Sequence, residues 1–265
     1  MSAAGPLEGV RVLVTRPEHQ ARRLCQLISE RGGEAIPFAT ILIEDLSDTE
    51  TVRQAVASLD STDLAIFASA NAVRYGLAAI RRAGALPRRL PVFAVGPATG
   101  AALASEGMEQ VHVPAEGADS EALLDLPELR QVEGRSIAIF SGEGGRPTLR
   151  ETLVQRGASV TVVPCYRRRP AKDIPEAVRQ ALARHRVHAV TLTSGEGLQN
   201  LYGVLDGELA TGLRRLPHFV IHDRVALAAR NAGAQEIIVA PGGDEALVEA
   251  LVHWLSTAHA SATLH

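Results

Sequence analysis

The chain has 265 residues, 46% of them hydrophobic and 22% charged, which allows one large or two smaller folded domains and excludes a disordered or fibrous chain. Only 3% is aromatic, too little for the stacking platforms of a single-stranded nucleic-acid binder, and a formal net charge of -3 argues against general affinity for nucleic acid or anionic membrane. Lysine occurs once, as Lys172, so the lysine of a Walker-type phosphate loop is missing and Schiff-base chemistry has a single candidate in a Pro-rich segment.

The chain begins "MSAAGPLEGVRVLV", with no basic region ahead of its short apolar run. No run approaches the roughly 20 apolar residues of a membrane span, so a cytoplasmic protein is expected. Strand candidates then follow in order: "RVLVT" from Arg11, "LAIFA" from Leu64, "VFAVG" from Val92, "SIAIF" from Ser136, "AVTLT" from Ala189, "HFVIH" from His218 and "EIIVA" from Glu236. They are apolar at consecutive positions rather than alternating, the pattern of strands covered on both faces. Between them run helical spacings such as Leu24, Leu27 and Ile28, or Leu149, Leu153 and Val154, stopped by "RGG", "RAG", "SEG", "RGA" and "NAG". Strand and helix in alternation predict an α/β fold with parallel sheets.

An offset of roughly 125 residues lays most of these elements on one another, a period that implies two similar domains and not a solenoid. "GVRVLVTRP" falls on "GRSIAIFSG", "LAIFASANAV" on "HAVTLTSGEGL", and "LPVFAVGPATGAALASEG" on "LPHFVIHDRVALAARNAG". Two arrangements are open. Tandem halves would divide near Gln131; interleaved domains would put the middle of the chain in one and both ends in the other, crossing at the Pro-bearing stretches "AIPFATILIED" and "VVPCYRRRPAKDIP".

Chemistry is expected where strands run into helices, because a helix N-terminus offers unpaired N–H groups to carboxylates or phosphates. The candidates are Ser69 and Asn71 in "FASANAV", Gly96 and Thr99 in "GPAT", Ser141, Gly142 and Arg146 in "SGEGGR", Ser194 in "TSGEG", and Arg16 in "VTRP". Each Ser competes with the plainer reading of an ordinary N-cap. Arg146 competes with a pair to Glu143 or Glu151, and Arg16 with a pair to Glu18 or a neighbour. "TSGEG" has Thr193 where a nucleophile elbow needs glycine, which leaves serine-hydrolase chemistry unsupported. Tyr166, in "CYRRRP", is a phenol that stays protonated at neutral pH and can donate to a leaving oxygen. His222 stands where the first repeat has Gly96, facing either a cleft or a structural partner. The nine histidines lack metal-ligand spacing, with "RHRVH" at His185 and His188 the closest approach, and Cys25 and Cys165 form no CxxC; no metal and no disulfide are expected.

Together, "VLVTRP", "FASANAV", "AVGPATGAAL", "GEGGRPTLRETLVQRGASV" and "VPCYRR", in this order between Gly9 and Trp254, resemble the uroporphyrinogen-III synthase family. The resemblance implies two flavodoxin-like parallel-sheet domains joined by a two-stranded linker: residues 1–37 with 168–265, an inserted 43–163, and linker strands 38–42 and 164–167. It also implies cyclisation of hydroxymethylbilane, a linear tetrapyrrole with eight carboxylates, to uroporphyrinogen III with loss of water and inversion of the last ring. Tyr166 then matches a tyrosine assisting departure of the hydroxyl group, Ser69 and Ser194 match cleft serines, and backbone amides after Gly96 and Gly142 match carboxylate contacts. The chain departs from the family in "HDRV" at His222, where a second Gly-Pro-x-Thr turn is usual, and in Ser141, where many relatives have arginine; His222 and Arg224 are the expected replacements. No cofactor, nucleic acid or membrane is implied, and a monomer is expected. A hinged binding protein for a small polyanion is the rival, weakened by the lack of a signal peptide; an oxidoreductase is weaker still, since no GxGxxG follows a strand.

Overall fold

Every apolar run named above forms a strand in the computed structural model, which describes residues 5–84 and 90–262, with side chains up to Thr257. In chain order the first elements are β1 (Arg11–Val14), α1 (Glu18–Glu30), β2 (Glu34–Pro37), β3 (Ile41–Asp45), α2 (Glu50–Ala57), β4 (Leu64–Phe67) and α3 (Ala70–Ala83). Next come β5 (Val92–Ala94), α4 (Pro97–Ser105), β6 (Val111–His112), α5 (Ser120–Leu124), α6 (Pro127–Arg130), β7 (Ser136–Gly142), α7 (Thr148–Gln155) and β8 (Ser159–Pro170). The last are α8 (Glu176–Ala183), β9 (Ala189–Leu192), α9 (Gly195–Gly203), α10 (Gly207–Arg214), β10 (Pro217–Val220), α11 (Asp223–Asn231), β11 (Glu236–Val239) and α12 (Asp244–Ala262). The glycine-marked stops end helices as expected; Gly32 and Gly157, for example, take φ of 86°, which a residue with a Cβ adopts only under strain.

The chain divides into two compact units, Met1–Leu42 with Arg169–His265, and Ile43–Arg168. The first holds a five-stranded sheet in the order β11-β10-β9-β1-β2, the second a six-stranded sheet in the order β3-β8-β7-β4-β5-β6. Pairing is parallel between β1 and β2, β1 and β9, β9 and β10, β10 and β11, and likewise through β8, β7, β4, β5 and β6. Parallel strands need covering on both faces, and alternation along each strand supplies both. On β4, Ala65 and Phe67 enter one apolar cluster with α3, while Leu64 and Ile66 enter the cluster on the opposite face. On β1, Leu13 points into one cluster and Val12 and Val14 into the other.

The repeat survives in three dimensions. An offset of roughly 125 residues carries Arg11, Leu64, Val92 and Val111, which open β1, β4, β5 and β6, onto Ser136, Ala189, Pro217 and Glu236, which open β7, β9, β10 and β11. Equivalent strands hold equivalent sheet positions: β11-β10-β9-β1-β2 corresponds to β6-β5-β4-β7-β8, with β3 added beside β8. With β3 set aside, each sheet therefore combines two strands of one repeat with three of the other. The stretch 164–167 lies inside β8 and continues the pairing with β7, where Gly142 meets Tyr166 after a register shift at Ser141 and Gly142.

Candidate active site

In the unit formed by Ile43–Arg168, parallel strands deliver their C-terminal ends to one edge of the sheet, the usual place for ligands in this architecture. Ser69 follows β4, Gly96 follows β5, and Ser141 and Gly142 close β7. A cavity of about 500 Å³ lies at this edge, with Ser69, Ser141, Gly142, Arg146 and Tyr166 in its wall. Val162, Pro164, Tyr166 and Arg168 of β8 all line the cavity, the last two beyond the register shift that interrupts simple alternation along this strand.

Tyr166 is 7% exposed, and its ring lies across the backbone of Gly142. A Cβ at Gly142 would stand 2.7 Å from the Tyr166 Cζ and 2.9 Å from the phenol oxygen, closer than real Cβ contacts come. The phenol oxygen is 3.0 Å from Ser69 Oγ, and that Oγ also accepts a hydrogen bond from the Ala72 N–H of α3 at 3.1 Å. The N–H of Glu143 donates to the Tyr166 carbonyl at 2.8 Å, tying the loop after β7 to β8. Beside this pair the Cys165 thiol is buried, contacts the Ser141 carbonyl at 3.4 Å, and is pushed up to about 12 chiefly by loss of solvent. It is no nucleophile at neutral pH.

The remaining expected residues are placed as follows. Arg146 does not pair with Glu143 or Glu151; its ion pair is a loose one with Glu121 on α5, 3.7 Å apart and exposed, while Glu143 receives a hydrogen bond from Arg167 Nη2 at 2.7 Å. The reason is the turn of the loop, which carries Arg146 toward the start of α5. Gly96 N-caps α4 and is fixed as glycine by Ala118, whose Cβ would be 2.9 Å from an added one. Thr99 is buried in the first turn of α4, and Asn71 sits half-buried in that of α3; neither lines the cavity.

In the other unit, Ser194 caps α9 by accepting from the Gly197 N–H at 3.0 Å, the same geometry that Ser69 has at α3. His222 is the N-cap residue of α11, its side chain making no capping bond, and Arg224 is exposed in the first turn of that helix. Arg16 follows β1 and pairs with Asp244 at the start of α12, not with Glu18. Sequence separation hid that partner: the two meet because β1 lies within the sheet that α12 covers. Among the described residues no cluster of three metal-ligating side chains occurs, and no helix is long and apolar enough to cross a membrane.

Comparison with known proteins gives this geometry its context. The family model described as uroporphyrinogen-III synthase HemD matches residues 22–252. The chain belongs to the uroporphyrinogen-III synthase family. It is 35% identical to the uroporphyrinogen-III synthase of Salmonella typhimurium over 91% of its own length and 99% of that protein's, and 33% identical to that of Escherichia coli over the same shares. Its fold matches a solved mutant uroporphyrinogen III synthase of Thermus thermophilus at a TM-score of 0.62, 22% identity, 94% of this chain and 99% of that one. The uroporphyrinogen-III synthetase of Helicobacter pylori matches at 0.59, 13% identity, 92% and 99%. An enzyme of the uroporphyrinogen-III synthase family handles a multiply anionic tetrapyrrole, and two cavity residues absent from the expected set suit that charge: Arg150 and Arg168. Arg168 had a signal in the sequence, two residues along the strand from Tyr166, whereas Arg150 lies in the first turn of α7, four positions after Arg146 in the preceding loop.

Proposed function

We propose that the protein cyclises hydroxymethylbilane to uroporphyrinogen III, losing water and inverting the last pyrrole ring, with Tyr166 as the group that assists departure of the hydroxyl. The supporting observation is the phenol itself: buried, held across Gly142, and turned to a cavity whose rim carries Arg146, Arg150 and Arg168. Loss of hydroxide from the activated pyrrole leaves a conjugated electrophile without help from a metal or cofactor. The protein must protonate the departing oxygen and hold the bilane so that the substituted carbon of the last ring attacks first, giving a spiro intermediate. Closure at the unsubstituted carbon gives the other isomer, so positioning and exclusion of that route are the main catalytic terms.

In this reading the arginines, the amides after Gly142 and the hydroxyl of Ser141 take substrate carboxylates, since charge-assisted bonds to carboxylate are the strongest available without a metal. Gly96 and Thr99 at α4, and Asn71 at α3, contribute through their helix N-termini. Arg16, Ser194, His222 and Arg224, at the strand ends of the other unit, are that unit's own candidates for binding carboxylate. The substrate is a small molecule, with no nucleic acid or membrane partner, and the working state is a monomer in the cytoplasm.

The test is direct. Freshly prepared hydroxymethylbilane is supplied to the protein and the type I and type III products are separated. Type III product formed well above the buffer rate is expected; type I alone, at the buffer rate, overturns the reading. In Tyr166→Phe, kcat is expected to fall about 10²-fold, the lower end of what a positioned proton donor contributes.

A further inference from the structure

We propose that Ser69 serves the Tyr166 phenol and not a substrate carboxylate: it orients the phenol and stabilises the phenolate formed when the proton leaves. The inference rests on the reading of Tyr166 as proton donor and adds the residue through which that donor works.

A serine hydroxyl has one hydrogen to donate and two acceptor positions. At Ser69 one acceptor position is filled by the Ala72 N–H at 3.1 Å, the capping bond of α3, which also fixes the side-chain rotamer. The other side of the hydroxyl meets the Tyr166 oxygen at 3.0 Å. While the phenol holds its proton, either oxygen can donate to the other. Once the phenol has given its proton away, only Ser69 can donate, and the bond becomes one between a hydroxyl and an oxyanion, about twice as strong as its neutral form. The interaction thus strengthens as charge develops, which is the condition for accelerating a step and not merely binding its reactant.

The step balances. The carbon–oxygen bond of the hydroxymethyl group breaks with its electron pair going to oxygen, and the Tyr166 proton moves to that oxygen, releasing water. The pyrrole nitrogen lone pair supplies the electrons that the methylene carbon loses. When the ring has closed, the proton shed in restoring the aromatic pyrrole returns to the phenolate, with Ser69 donating to it in between. Two further constraints hold the pair in register. Gly142 leaves no atom between its backbone and the ring, and the Tyr166 carbonyl accepts from Glu143, so the phenol cannot slide along β8 without breaking a strand contact. Ser194 has the same capping bond at α9, to Gly197, but the repeat supplies the serine twice and a phenol bonded to it once.

A double-mutant cycle tests this. Ser69→Gly is the primary variant, because glycine is tolerated at an N-cap and removes the hydroxyl with little loss of fold. In the otherwise wild-type protein it is expected to lower kcat about tenfold with KM changed less than about twofold, the signature of an interaction made in the transition state only. In the Tyr166→Phe background it is expected to lower kcat by less than about twofold, because the phenol it serves is gone. Ser69→Thr, which keeps the hydroxyl, is expected to restore turnover. Equal losses in both backgrounds would mean that Ser69 acts independently of the phenol, and a raised KM with unchanged kcat would mean that it binds a carboxylate; either overturns the inference while leaving Tyr166 as donor. Wild-type turnover in Tyr166→Phe overturns both, and is told apart by that single variant.

Discussion

At the scale of single residues, the site depends on an absence of atoms as much as on their presence. Gly142 is required because the Tyr166 ring occupies the place of its side chain. Gly142→Ala is expected to push the phenol away from Ser69 and lower kcat by about 10²-fold, since a displacement near 1 Å at a reacting group has that cost. The loss should appear in a steady-state assay of type III product while the thermal melt keeps its shape. Cys165, next in sequence to the phenol, is screened from reagents by its burial and by a thiol that deprotonates only near 12. Alkylation with iodoacetamide at pH 8 is expected to leave Cys165 unmodified in the folded protein and to label it fully in denaturant, as read by peptide mass; labelling of the native protein would contradict the packing around β8. Sequence alone pointed to Tyr166 and Ser69 as separate candidates. What it lacked was their distance, because the hydrogen bond spans 97 positions and depends on β8 lying beside β7, and β7 beside β4.

At the scale of elements, helices and strands were largely readable because each signal is local: consecutive apolar residues for covered strands, three- and four-residue spacing for helices, glycine for their ends. Charged pairs were not, since Arg16 with Asp244 and Arg146 with Glu121 are set by which elements pack together. The capping serines carry energy of their own. Ser194→Ala is expected to destabilise the protein by about 1 kcal/mol in a denaturant melt, the usual cost of losing an N-cap bond. β10 and α9 are joined by a buried polar pair that the site does not use. His218 is fully buried; its Nδ1–H donates to the Leu216 carbonyl at 2.7 Å, so Nε2 accepts from the Tyr202 hydroxyl at 2.9 Å. The Arg214 guanidinium lies over the Tyr202 ring at 5.2 Å. Burial lowers the His218 imidazole from its ordinary 6.5, against the Leu216 bond, which raises it. The unfolded chain therefore takes up a proton below pH 6.5 that the folded protein refuses, and this part of the stability is present above that pH and lost as pH falls. One proton limits the slope to about 1.4 kcal/mol per pH unit. His218→Asn is expected to flatten the fall in melting temperature between about pH 7.5 and 5.5 relative to wild type; parallel curves would show that the imidazole is not the group responsible.

At the scale of the whole molecule, the internal repeat was legible and its distribution between two sheets was not. An offset of roughly 125 residues aligns the same segments whether the halves are tandem or interleaved, so only the family resemblance favoured interleaving, and pairing of β1 with β9 is invisible in a comparison of the chain with itself. Residues 41–170 include both cores of the six-stranded sheet and all of β3 and β8. That segment, expressed alone, is expected to unfold in a single cooperative thermal transition; a broad, non-cooperative melt would show that it needs the rest of the chain. The distribution of the repeats also sets a timetable. A ribosome delivers the chain from its first residue onward, and β1, whose residues run Arg11–Val14, has β2 as its one early neighbour; its other neighbour, β9, starts at Ala189. At ordinary rates of synthesis the gap between them takes roughly 10–30 s to emerge. The intervening segment has every strand of its own sheet by then, while the apolar start of the chain waits unpaired on one side, the interval in which a chaperone would find it.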